Sequence, residues 1–272
     1  MTKLSLLGVP HDGNSSFMRG PAEAPPLIRA ELFSDCYGGS SETGVDLLAD
    51  GVILDHGDVA FDDGGDPWTA IELAVAAALE PGHPLITLGG DHAVTWPILM
   101  SVHRRHGPVS ILHIDAHPDL YDAYQDNPRS HASPFARIME QGLASRLVQV
   151  GLRAIHPDHR AQFERFGVEA IEARHCSPLP KLRFDGPVYI SLDLDGLDPS
   201  CAPGVSHREP GGLTTRQVIE LIQSIDAPIV GADIVEYNPR CDLGGMTATV
   251  AAKLVKEIGG MMVNARPASA GS

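Results

Sequence analysis

The sequence predicts an α/β fold, a three-layer αβα sandwich with a mainly parallel sheet, and three observations carry that prediction. Short apolar runs of strand length recur along the chain, patterns of helical period lie between them, and polar residues gather directly behind several of the runs. Runs rich in Val, Ile and Leu without strict alternation suit strands covered on both faces. Strand followed by helix, repeated, pairs the strands in parallel and lays helices on either side.

Leu4 to Val9 opens the series; broken by Ser5 and ended by Pro10, it is too short for a signal-peptide core or a membrane span and reads as a buried strand. Further strand runs follow at Gly51 to Leu54, Leu85 to Leu88, Val109 to Ile114, Leu147 to Val150, Val188 to Leu192 and Ile229 to Ala232. Helical patterns cover Trp68 to Leu79, Val94 to Arg105, Arg160 to Phe166, Thr215 to Ile225 and Thr247 to Ile258. Right-handed crossovers then set the functional loops along one edge, at the carboxyl ends of the strands. No linker or change of composition divides the 272 residues, so residues 1–272 read as a single domain. The end of the chain, about 264–272 and containing ARPASAGS, is small, polar and Pro-containing and should fray.

With 35 acidic against 20 basic residues the formal charge is -15, which argues against nucleic acid or an anionic membrane as partner and suits a cationic small molecule. Cys36, Cys176, Cys201 and Cys241 form no C-x-x-C pair and suggest no disulfide framework, so a reducing, cytoplasmic setting is the simplest expectation.

The predicted edge is where unusual residues collect. The run 85–88 ends in Gly89-Gly90-Asp91-His92, the run 109–114 in Asp115-Ala116-His117-Pro118-Asp119, and the run 188–192 in Asp193-Leu194-Asp195. A fourth, 229–232, ends in Asp233-Ile234-Val235-Glu236. Buried carboxylates are costly unless paired or bound to a cation. Side chains two apart in extended backbone point the same way, so Asp115, His117 and Asp119 should converge, as should Asp193 and Asp195. With His92 they supply enough ligands for two divalent ions. Any one cluster could instead cap a helix or solvate a turn; their coincidence on several strand ends favours metal. His113, inside its strand, reads as a packed core histidine, Asp198 as a turn organiser, and Asp91 as a support for His92 or a loop amide.

These blocks carry a resemblance. GGDH (89–92), DAHPD (115–119), SLDLDGLDP (191–199) and DIVEYNP (233–239) resemble the signature blocks of the ureohydrolases, the arginase and agmatinase family. SHASPFARIME (130–140) and APGVSHREPGGL (202–213) are most similar to its plant-type arginase branch. The resemblance implies an arginase-like fold, a homo-oligomer (trimer or hexamer) and two Mn²⁺ ions per subunit. His92, Asp115, Asp119 and Asp193 would hold one ion and Asp115, His117, Asp193 and Asp195 the other. It also implies that His131 shuttles protons and that Glu236 pairs with the substrate guanidinium. The oxygen-rich ligand set independently favours Mn²⁺, with Co²⁺, Ni²⁺ or Zn²⁺ as possible substitutes.

The implied reaction hydrolyses a guanidino group to urea and an amine. A guanidinium carbon is a poor electrophile, and two ions sharing a water would lower its pKa enough to supply a nucleophile at neutral pH. Asp119 would accept a proton and pass it to the leaving amine. The resemblance points to L-arginine, giving L-ornithine and urea. Agmatine and guanidino acids stay open as alternatives, because LYDAYQDNPRS (120–130) and GLRAIH (151–156) depart from the animal-arginase segments that grip the α-amino and α-carboxylate groups. Asn127 and Arg129 are the nearest candidates for that task. Two other classes compete: a catalytically silent relative that binds metal or ligand, against which stands the complete ligand set, and a single-zinc deacetylase, which would not need both aspartate pairs.

Overall fold

In a computed structural model, which describes residues 3–264, eight strands form one sheet in the order β2-β1-β3-β8-β7-β4-β5-β6, and every pair in it is parallel. In chain order the elements are β1 (Leu4–Gly8), α1 (Ala24–Leu32), β2 (Ile53–Asp58), α2 (Pro67–Leu79), β3 (Leu85–Leu88), α3 (Thr95–His106), β4 (Val109–Ile114) and α4 (Pro134–Glu140). They continue with β5 (Ala144–Leu152), α5 (Pro157–Phe166), β6 (Glu169–Glu172), β7 (Val188–Asp193), α6 (Thr215–Gln223), β8 (Ile229–Val235) and α7 (Met246–Asn264). Asn264 closes α7, and the rest of the expected frayed end lies outside the described residues.

Local signals account for most of these boundaries. Asp66 caps α2 by accepting from Thr69 N at 3.3 Å, with Pro67 at the first helical position, where its missing N–H costs nothing. Thr214 and Gln217 close a reciprocal capping box on α6. Three elements have no counterpart in the runs read from sequence, one of them α4, whose seven residues are too few to show a period. Strand β6, Glu-Ala-Ile-Glu, is a four-residue edge strand with no apolar run to announce it. Helix α1 carries two prolines in its first turn, which mask its period.

Alternation along the strands sorts the core into two layers. In β4, Leu112 and Ile114 join the cluster covered by α1, α6 and α7, whereas Val109 and Ile111 join the one covered by α2, α3 and α4. On this second face the apolar lining is interrupted by a row of polar residues in register across five strands. Thr87 of β3 pairs with Asp233 of β8, Asp233 with Ser191 of β7, Ser191 with His113 of β4, and His113 with Gln149 of β5; all five are fully buried. Such groups are tolerated in a core only if they bond to one another or to something above them.

The strand ends above this row approach closely. After β7 the chain makes one 3-10 turn, Leu194–Gly196, against the backbone just past β4, so that a Cβ on Gly196 would lie 2.8 Å from Asp115 N. Gly196→Ala should therefore force the two strand ends apart and lower stability by about 1–3 kcal/mol, as overpacking does. The midpoint of urea-induced unfolding measures it; an unchanged midpoint would mean that the approach is not tight.

Candidate metal centre

The acidic clusters meet at the carboxyl ends of β3, β4, β7 and β8, but not by strand alternation. Extended backbone stops at Ile114; the chain bends at 116–117, and Asp119 takes a left-handed conformation with φ 50°. Asp193 ends β7 and caps the turn that follows, its Oδ1 accepting from Asp195 N at 2.7 Å. The expected convergence occurs, through turns rather than through period-two extension, because extension keeps alternate side chains about 6–7 Å apart whereas a turn brings them to one point. Glu236 also lies at positive φ, 63°. Non-glycine residues there are uncommon and are held by their surroundings; Gln125 and Asp126, in the loop after Asp119, share the conformation.

Two nitrogen–carboxylate sets result. His92 Nδ1 lies 3.2 Å from Asp115 Oδ2, 3.0 Å from Asp119 Oδ2 and 3.2 Å from Asp193 Oδ2. His117 Nδ1 lies 3.1 Å from Asp195 Oδ2 and 3.4 Å from Asp115 Oδ1. Asp115 thus turns one oxygen to each set. Despite its three close oxygens, His92 Nδ1 makes no hydrogen bond, and the polar row explains why. Asp233 accepts from Tyr189 OH and from Ser191 Oγ, each at 2.7 Å, so the Ser191 oxygen is left to accept His92 Nε2–H at 2.9 Å. The His92 lone pair is consequently on Nδ1, aimed at the carboxylates, an arrangement suited to a shared cation.

His113 plays a different part. Gln149 donates its amide N–H groups to His113 Nδ1 at 2.9 Å and to Pro118 O at 2.6 Å, which leaves His113 Nε2–H to donate to Asp115 Oδ2 at 2.8 Å. Its ring lies 4.0 Å from that of Phe135. Although His92, His113 and Asp115 are close enough together to hold an ion, this tautomer spends the nearer His113 nitrogen as a donor. It is the packed core histidine expected, and it also orients Asp115.

The charges conflict as they stand. Burial opposes ionisation of Asp115, yet His113, His117 and His92 hold it well below the usual carboxylate range. Burial and the neighbouring aspartates push Asp193 well above that range, and burial with the Asp115 charge pushes Asp195 up to about 7. Burial disfavours the charged forms of His92 and His117, but the surrounding carboxylates raise both. A divalent cation in each set would let the carboxylates ionise and the imidazoles stay neutral. The donor set fits a hard or borderline divalent ion.

Beside this cluster, Glu236 Oε1 accepts from His92 N at 3.0 Å and from His131 Nδ1 at 2.8 Å. Burial opposes it, but Glu236 lifts the His131 pKa to about 9. The other ring nitrogen meets Ser16, whose N–H donates to His131 Nε2 at 3.2 Å and whose hydroxyl lies 2.8 Å away. That backbone donor favours the neutral ring and Glu236 the charged one. The Ser16 hydroxyl serves both, donating to the first and accepting from the second. Asp91 anchors the same loop, accepting from Asn14 N, Ser15 Oγ and Ala93 N, and so fills the supporting place expected of it. Asp198 binds Ser200, Gly211 and Gly212 as a turn organiser.

A cleft of about 230 Å³ opens over the cluster, lined by His117, Asp119, His131, Asp193, Asp195 and Glu236, and also by Ser16, Tyr121, Tyr124, His159 and His207. Neither Asn127 nor Arg129 lines it. Arg129 binds Asp66 at 3.0 Å with its guanidinium over the Trp68 ring, and Asn127 bonds Asn14 and Arg129 N beside the His131 loop. The assignment of Arg129 to the substrate carboxylate is thereby corrected, since its charge is already paired outside the cleft. Sequence reasoning missed Ser16 and His159 because they reach the cleft from a loop and a helix end with no motif around them, whereas His207 lies in the block 202–213 that carried the resemblance but was not singled out within it. Gln149 and Ser191 did leave a signal, as polar residues within apolar strand runs.

Residues 2–260 match the family model described as the arginase family. The chain is 48% identical to arginase 1, mitochondrial, of Arabidopsis thaliana over 93% of its own length and 79% of that protein's. It is 36% identical to the mitochondrial agmatinase of Gallus gallus over 93% and 79%. The solved arginase of Medicago truncatula superposes with a TM-score of 0.90 at 44% identity, covering 96% of this chain and 87% of that one. The mitochondrial relatives overturn the cytoplasmic location expected from cysteine usage: free thiols report a reducing environment, not which compartment provides it. Among the described residues no helix is long and apolar enough to cross a membrane.

The Ser191 relay gives this site a direct test. Ser191→Ala removes the acceptor of His92 Nε2–H and frees the ring to place a proton on Nδ1, so affinity for divalent metal should fall about 10–100-fold. Metal titration followed by elemental analysis reads this, and undiminished affinity would show that the relay does not set the tautomer.

Proposed function

The chain belongs to the arginase family, and on that premise we propose that it hydrolyses L-arginine to L-ornithine and urea, using two Mn²⁺ ions held by His92, Asp115, His117, Asp119, Asp193 and Asp195. It is a metal-dependent hydrolase of guanidino C–N bonds. The observation that carries the site assignment is Asp115 dividing its two oxygens between two imidazole sets, beside a Glu236–His131 pair that needs no metal. Agmatine hydrolysis is the weaker alternative, its named relative standing at 36% identity against 48% for an arginase. A homo-oligomer belongs to this proposal as well.

Bound at these residues, the two ions would supply a nucleophilic water at neutral pH. The protein's own residues do the rest. Glu236, ionised and buried, has Oε1 engaged by His92 N and His131 Nδ1, leaving Oε2 to take a guanidinium N–H and aim the guanidinium carbon at the aspartates. Asp119, on the cleft wall, is placed to receive a proton from the attacking water and return it to the leaving amine. His131 exchanges other protons of the cycle with solvent through the Ser16 hydroxyl, whose two hydrogen-bonding senses match the two states of the ring.

Wild type should retain two divalent ions per chain, and Asp193→Asn should lower that number and nearly abolish urea release from arginine. One ion in the fully active wild type would end the two-metal reading. Glu236→Gln should keep the metals but cut kcat/KM about tenfold or more, as a charge-assisted bond worth about 1–2 kcal/mol becomes an ordinary one. The same variant removes the anion that raises His131, so its pKa, followed by NMR of the ring protons, should drop from about 9 toward acid. Unchanged kinetics with an unchanged His131 titration would make Glu236 merely structural.

A further inference from the structure

The segment 203–213, whose His207 lines the cleft, is pinned from several sides. Arg208 donates to Pro203 O at 2.8 Å and to Cys241 O at 2.7 Å, Ser206 Oγ donates to Met18 O at 3.0 Å, and Asp198 accepts from Gly211 N and Gly212 N. On this rigid stretch Glu209 stands at the edge of the metal centre. Its Oε1 lies 4.0 Å from Nε2 of His117, the ring whose other nitrogen faces Asp195 and Asp115. Outward from those aspartates come the imidazole and then the Glu209 carboxylate, and exposure grows in the same order: 25% for the His117 side chain and 43% for that of Glu209. Two guanidinium groups reach the segment, and both are spent on backbone carbonyls. Arg208 is bound as described, and Arg153 donates to the carbonyls of Glu209, Gly151, Gly196, Asp195 and Leu197. Among the described residues no Lys or Arg pairs with the Glu209 carboxylate, and His117 faces it alone.

An imidazole that ligates a metal is neutral, so with ions bound His117 supplies no positive charge to Glu209. The carboxylate is then a fixed anion at the rim, open to solvent and without a cation of its own. A substrate whose guanidinium lies at Glu236 and the aspartates leads its other end outward along the cleft walls, past His117 on this side. In arginine and in agmatine that end carries an ammonium, which has only donors; in a guanidino acid without an amine it carries a carboxylate, which has only acceptors. We infer that Glu209 is a specificity-determining residue whose carboxylate binds the free ammonium of the substrate, admitting arginine and agmatine and repelling guanidino acids that lack the amine. This deepens the proposed guanidino hydrolysis and rests on it. It also supplies the α-amino contact for which the segment 151–156 has no acid.

The test uses the Mn²⁺-loaded full chain and three product-like probes. L-ornithine and putrescine present an ammonium at the outer end, whereas 4-aminobutyrate presents a carboxylate alone. Glu209→Gln removes the charge at a side chain that makes no hydrogen bond within the protein, and Glu209→Lys reverses it. In the glutamine variant the inhibition constants of ornithine and putrescine and the KM for arginine should rise about two- to fivefold, as befits a charge pair at a solvated rim. The lysine variant should lose more, about tenfold, and should bind 4-aminobutyrate more tightly than wild type does. Metal affinity, read by titration and elemental analysis, should match wild type in both. Weaker metal binding with equal loss of all three probes would show that Glu209 acts only through His117, and would overturn the inference. Ornithine and putrescine binding unchanged in both variants, or 4-aminobutyrate weakened by the lysine, would overturn it as well. If wild type releases no urea from arginine, the hydrolytic reading fails instead; calorimetric binding of the same probes to wild type and Glu209→Lys then still decides what Glu209 recognises.

Discussion

Everything at the carboxyl edge of this sheet follows from one electrostatic constraint: buried carboxylates surround two imidazole lone pairs, and they cannot all be ionised there without cations between them. Asp115 is held ionised while Asp193 and Asp195 are pushed toward protonation, although the three lie within one cluster. Charge placed in the interior is expensive until it is shared. The fold accepts that expense at the strand ends, where bends and turns aim side chains from several strands at one place.

The polar row one layer below is what makes the arrangement specific. In the chain Asp233–Ser191–His92, each group's hydrogen-bonding role dictates the next, until a lone pair is delivered to the site. Gln149 and His113 do the same for Asp115. Around this row the face is mostly apolar, so a misdirected hydroxyl or amide would leave a buried group unsatisfied, and the sheet therefore holds each tautomer firmly. Second-layer residues of this kind carry no reactive atom, yet they decide which nitrogen faces the chemistry.

The cleft adds a division of labour among its histidines. His117 faces carboxylates, His131 is held between Glu236 and Ser16, and His159 is tied by its own helix cap. The three imidazoles on these walls thus differ with their partners: carboxylates raise His117 and His131, whereas burial lowers His159.

The sequence by itself determined the parallel sheet, through strand-length Val/Ile/Leu runs alternating with helical periods, and it determined the metal-centre candidates, because acidic residues directly behind apolar runs have few other uses. It also carried the family resemblance. It left β6 and α1 illegible, since a four-residue edge strand buries too little to need a pattern and prolines obscure a short helix. Only the tertiary structure decided how the ligands converge, because left-handed backbone at Asp119 and Glu236 is imposed by surrounding contacts and not by local preference. It alone excluded Arg129 from the cleft and brought in Ser16 and His159, residues far apart in sequence whose roles exist only where loop, helix end and strand edge meet. Hydrogen-bond direction is a property of neighbours in space, and a sequence lists neighbours along the chain.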